Sequence, residues 1–144
     1  MRTLFGTAEF QATRGAKLKR PFHFVISALR ATNAQTDGAQ PLLDYLLRMG
    51  HAPFRYPTPD GYPIEASHWT STLLWRWNFA AALTENKIKG TKVSLAKLRE
   101  KVGGDDALMA MVLGRKPSEQ EVLSYHQSGV GVALLLSSPG FQRC

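Results

Sequence analysis

The chain has 144 residues and a single cysteine, Cys144, at the last position. That leaves no internal disulfide framework and no cysteine-based zinc site, and it predicts an exposed thiol without a partner. The redox compartment stays open. Long apolar runs are also missing. The longest, "GVGVALLL" from Gly129 to Leu136, falls well short of the roughly 18 residues that a membrane-spanning helix needs, and it reads as a short core helix. The opening "MRTLFGTAEFQATRG" has neither a long apolar segment nor a small-residue cleavage site, so no signal peptide is read in this chain. It would be cytoplasmic if complete as given. Strand-type alternation of apolar and polar residues is nearly absent.

Acids are scarce beside bases: 11 Asp and Glu against 18 Lys and Arg, a formal net charge of +7. Much of that excess lies in "RGAKLKR" (Arg14 to Arg20) and "NKIKGTKVSLAKLREK" (Asn86 to Lys101). Such tracts can meet phosphate backbones or anionic lipid. Neither is interleaved with aromatics, however, and no helix-turn-helix, RNP or zinc-finger pattern accompanies them, so nucleic acid is disfavoured as a partner. Hydrophobic residues make up 44% of the chain and charged residues 20%, too apolar for disorder and enough for one folded domain.

What is present is helical periodicity. "PFHFVISALRAT" opens on Pro21, suited to a first turn, and sets Phe24, Ala28 and Ala31 on one stripe that Phe22, Val25, Ile26 and Leu29 widen. "PLLDYLLRMG" begins at Pro41, offers Leu42, Leu43, Leu46 and Leu47 as a face, and stops at Gly50. The strongest helix runs from about Ser67, as N-cap, to Glu85. "SLAKLREKV" is capped by Ser94, and "DDALMAMVLG" starts with two acids and ends in Gly114. "PSEQEVLSYHQSG" carries a capping box of Ser118 and Glu121, with Gly129 as terminator. The expected fold is all-α: an irregular bundle of about six to eight helices, with a proline-rich loop before a long tryptophan-rich helix. Residues 1–144 are expected to form one α-helical domain.

One short echo links the two ends. "LFGTAEFQA" (Leu4 to Ala12) aligns with "LLSSPGFQR" (Leu135 to Arg143), pairing Leu4 with Leu135, Thr7 with Ser138, Phe10 with Phe141 and Gln11 with Gln142. It reads as a shared helix-end device, a hydroxyl capping the next turn and a phenylalanine folding back as anchor, and not as a duplicated domain.

The stretches "LFGTAEF", "KRPFHFVISALRAT", "MGHAPFRYPTPDGYP", "HWTSTLLWRWNFA" and "ALLLSSPGFQR" resemble in order and spacing the carboxy-terminal part of the uncharacterised bacterial family DUF1800. The resemblance covers nearly the whole chain. It implies a helical protein whose relatives are several times longer, often exported, and commonly encoded beside another uncharacterised exported family. This chain is then a fragment or a shortened relative. Partners implied are the missing amino-terminal part or another exported protein. No activity and no catalytic residue carries over. The chain departs from the family at His23, where an acid is expected, and in "YPIEASHW", which replaces an acidic continuation.

Catalytic motifs are lacking. His23, His51, His68 and His126 show no HxH, HExxH or H-x3-H spacing, no G-x-S-x-G elbow occurs, and "KVGG" and "GVGV" lack the lysine or strand context of a phosphate loop. His51 and His68 flank the proline loop near Asp60 and Glu65, an unusual metal set against which solvated loop residues are the expectation. No cofactor and no metal is expected. The segment 56–80 carries the candidate site. "PTPDGYP" is a rigid turn with prolines at 57, 59 and 63, and behind it Trp69, Leu73, Trp77 and Ala80 form a helical stripe with Leu74, Trp75 and Phe79 beside it. Two readings stay open. In one, the aromatics are core and the loop folds across them. In the other, Tyr56, Asp60, Tyr62, His68, Trp69, Trp75, Arg76 and Asn78 form a platform for carbohydrate or peptide. Arg76, alone among tryptophans, is expected to pair with Asp60 or Glu65 and tie loop to helix. The first expectation for function is thus a structural or interaction role. A binding module comes second, and part of an enzyme completed by residues outside this chain comes third.

Overall fold

The computed structural model describes residues 2–144, apart from the side chains of Arg2 and Leu4. Met1 and the Leu4 side chain of the echo therefore lie outside the described residues. Two short helices, α1 (Arg2–Phe5) and α2 (Ala8–Ala12), lead into α3 (Pro21–Ala31) and α4 (Gln40–Arg48). A loop and a 3-10 helix (Ala66–Thr72) then feed α5 (Leu73–Thr84). α6 (Leu95–Val102), α7 (Asp105–Leu113), α8 (Glu119–Gln127), α9 (Gly131–Ser137) and α10 (Pro139–Gln142) complete the chain. The fold is predominantly helical. Strands β1 (Gln35–Thr36) and β2 (Thr91–Lys92) pair antiparallel, Gln35 opposite Lys92 and Thr36 opposite Thr91, with the two threonine hydroxyls 2.7 Å apart. Two-residue strands are too short to show alternation, which is why the sequence gives no sign of them.

α5 is the hub, packed on α9, α3 and α4. Phe79 and Ala80 are fully buried, and Phe79 meets Phe24 of α3 edge-on at 5.8 Å between ring centres. Phe24 in turn meets Phe141 of α10 at 5.9 Å. Such edge-to-face triplets let quadrupoles attract while the rings fill volume.

Several local signals hold. Pro21 opens α3, Gly50 and Gly114 follow α4 and α7 with left-handed φ of 69° and 66°, and the Ser118–Glu121 capping box forms in both directions. Thr7 and Ser138, the two hydroxyls of the echo, each accept from the backbone N–H of the phenylalanine three residues on, at 3.2 Å and 3.3 Å. The phenylalanines then diverge: Phe141 is buried, whereas Phe10 is exposed and leans on Phe5.

Other expectations are corrected. Ser67 caps nothing, because its segment winds as a 3-10 helix whose N-cap is Glu65; Ser94 precedes α6 without a side-chain capping bond. Leu43 and Leu47 on α4, and Phe22 and Ile26 on α3, face outward. The largest change is the phase of α5. Its inward residues are Arg76, Phe79, Ala80, Ala82 and Leu83, while Leu73, Leu74 and Trp77 are exposed. A helix apolar on every side gives no periodic cue to its orientation, and an arginine was not a natural choice for the buried stripe.

The two ends of the chain meet. Leu18 and Arg143 form an isolated antiparallel bridge, flanked by Cys144 N–H to the Lys17 carbonyl at 2.9 Å and Lys19 N–H to the Gln142 carbonyl at 2.8 Å.

Candidate functional site

Residues 51–65 form a loop closed by its own aromatics. The Tyr62 hydroxyl donates to the Ala52 carbonyl at 2.6 Å, and the Trp69 indole N–H donates to the Pro63 carbonyl at 3.1 Å. Arg20 reaches the Tyr62 carbonyl at 3.4 Å. His51 lies buried between them, its ring centre 4.3 Å from Tyr62 and 5.0 Å from Trp69. Its Nδ1 accepts the Phe22 backbone N–H at 3.1 Å, filling one of the free donors at the start of α3. His51 is therefore an interior strut and not a solvated loop residue. Burial, with Arg20, His23 and Arg76 near it, lowers its pKa to about 4.

The expected tie from Arg76 to Asp60 or Glu65 is absent. Both acids are exposed, while Arg76 is fully buried at 0% exposure. Its Nε donates to Thr72 Oγ1 at 2.9 Å and its Nη1 to Gln142 Oε1 at 2.7 Å. The guanidinium lies over the Phe24 ring at 5.3 Å, and Nη2 has no partner among the described residues. Burial pulls its pKa down to about 10. The physical reason is the helix phase: Arg76 points into the core beneath the loop, where neutral oxygens meet it before any acid from the loop can. The loop is pinned instead by Tyr62, Trp69 and Arg20.

Of the sequence-predicted site residues, Tyr56, Tyr62, His68, Trp69 and Trp75 line one cavity of about 460 Å³. Thr72, which holds Arg76, also lines it, and Arg48 stands at its edge with its guanidinium 4.7 Å from the Trp75 ring centre. Trp69 is buried and Trp75 is partly buried. Asp60 and Asn78 are exposed and outside this lining. His68 Nδ1 is 4.0 Å from Glu65. Among the described residues no three of His, Cys, Asp and Glu gather to hold a metal, and the pairing of His51 with His68 considered from the sequence does not form such a set.

A second concavity went unpredicted. A groove of about 790 Å³ runs between α5, α8, α9 and α10, with Trp77, Ala81, Val130 and Leu134 along it. Trp77 is 50% exposed and Leu134 41%. At one end Arg115 grips Glu121 through two bonds of 2.7 Å and 2.9 Å, which lowers the Glu121 pKa and raises that of Arg115. The sequence held a signal for it. Leu134 on α9 falls four residues after Val130 at the helix's N-cap, and Trp77 and Ala81 stand four apart on α5.

No helix among the described residues is long and apolar enough to cross a membrane. Compared with known families, residues 1–143 match the family described as "Protein of unknown function (DUF1800)". No curated protein and no solved structure matches the chain.

Proposed function

We propose, from the premise that this chain belongs to the DUF1800 family, that it works by association: it is the carboxy-terminal portion of a larger helical domain, and the α5–α9 groove is where the remaining portion packs. The observation that carries this reading is the groove itself. Trp77, Val130 and Leu134 are exposed and line one concave trough with Ala81, Ala133 and Leu135, whereas exposed apolar residues such as Phe54, Ile64 and Leu47 lie outside it. Contiguous apolar surface of this kind on a folded protein marks a contact site. A helix laid along the trough would bury Trp77, the residue type most often central to such contacts.

The test is co-purification of this chain with the amino-terminal portion of a longer family member. Association is expected for the wild type and at least tenfold weaker for the Trp77→Asp and Leu134→Asp variants, whose melting midpoints stay within a few degrees of wild type because both side chains are already exposed. Equal recovery with the variants, or no recovery at all, would sink the reading.

A further inference from the structure

The aromatic cavity lies apart from the groove, and positive charge gathers at its edge and behind its lining. Tyr62 and Thr72, both in its lining, are the hydrogen-bond partners of Arg20 and Arg76. Each of these arginines keeps one buried guanidinium nitrogen without a partner among the described residues, Arg20 Nε and Arg76 Nη2. Arg48 adds a third cation at the edge. Among the described residues no carboxylate lines the cavity, and the acid beside it is Glu65, 4.0 Å from His68 Nδ1. Neither Arg20 nor Arg76 lines the cavity itself, so both act on it only as charge behind the lining, and Arg48 is the cation within reach of its contents.

The remaining lining is chemically mixed. Trp75 and Tyr56 offer aromatic surface, one face of Trp75 already carrying the Arg48 guanidinium and Tyr56 leaning on Tyr62, while Ser71 and Thr72 offer hydroxyls. A volume of about 460 Å³ suits a small molecule. Flat faces suit the C–H face of a sugar ring, hydroxyls suit its oxygens, and guanidinium groups suit a carboxylate. An aromatic acid would use the first and last of these and leave the hydroxyls idle.

We propose that this cavity binds an acidic sugar of the uronate type, its ring against Trp75 and its carboxylate toward Arg48, with Arg20 and Arg76 supplying the positive field behind. The claim is independent of the groove and stands or falls without it. The probes are glucuronate, glucose and phenylacetate, titrated at constant ionic strength into the full chain and followed by tryptophan fluorescence and calorimetry. Glucuronate is expected to give a saturable change, and glucose none at the same concentrations. Arg48→Ala and Trp75→Ala, checked for an unchanged melting transition, should each weaken the response at least tenfold. An equal response to glucose, indifference to Arg48→Ala, saturation by phenylacetate but not glucuronate, or no saturable response to any probe would each overturn the assignment.

Discussion

His51 shows how much one interior side chain can set. It accepts a hydrogen bond through Nδ1, so only its neutral form fits. Burial above all, with Arg20, His23 and Arg76 nearby, disfavours a proton there, and its pKa falls from 6.5 to about 4. In the unfolded chain the imidazole titrates near its ordinary value, so the unfolded state binds more protons between those limits. Stability from this group is therefore complete above pH 6.5 and is lost as pH falls toward 4, by up to about 3 kcal/mol. His23, whose pKa is lowered by burial and by Arg20 and Lys17, adds to the same trend. Glu121 acts at lower pH, since its folded pKa lies below the ordinary carboxylate value. His51→Asn keeps an acceptor without a titration. Melting curves of that variant should flatten between pH 6.5 and 4, and a slope equal to wild type would show that the proton load sits elsewhere.

At the scale of elements, the junction of α8 and α9 is a tight fit. A Cβ on Gly131 would stand 2.7 Å from Tyr125 Cδ2 and 2.8 Å from the Tyr125 carbonyl oxygen. Tyr125 cannot step aside easily, because its hydroxyl donates to Asp105 at 2.9 Å, and Asp105 also takes Arg99 at 2.6 Å. Gly131→Ala is expected to cost about 1–3 kcal/mol in denaturant unfolding. Gly129→Ala, with nothing within 4 Å, should stay within about 0.5 kcal/mol of wild type. Equal effects would refute the steric account. Element existence was legible in the sequence where end chemistry is local: Pro21, Gly50, Gly114 and the Ser118–Glu121 box act within a turn or two of themselves. Legibility failed where the outcome depends on distant packing. Ser67 stands where a cap would suit, yet the segment winds as a 3-10 helix, and the rotation of α5 is set by what α3 and α9 present to it. The aromatic cluster of the candidate site was visible as composition. The partner of Arg76 was not, because Gln142 lies 66 residues away.

Across the whole molecule, the closing segment does more than its length suggests. α10 delivers Phe141 against Phe24 and Gln142 against Arg76, and the residues after it clasp 17–19. Removing residues 139–144 takes away a buried phenylalanine, worth about 3–5 kcal/mol by itself, and strands a guanidinium in the core. Typical domain stability is about 5–15 kcal/mol, so the shortened chain should lose its cooperative melt in circular dichroism. A sharp transition within 5 °C or so of wild type would contradict the structural role given to α10. The same Arg76–Gln142 contact has a kinetic consequence. An intermediate that assembled α3, α4 and α5 before the far segment arrived would hold the Arg76 guanidinium against the Phe24 ring with its Gln142 bond unmade and Thr72 still in place. A partner 66 residues distant in the chain makes that bond a late one to close, so the core organiser is satisfied only when its remotest neighbour arrives.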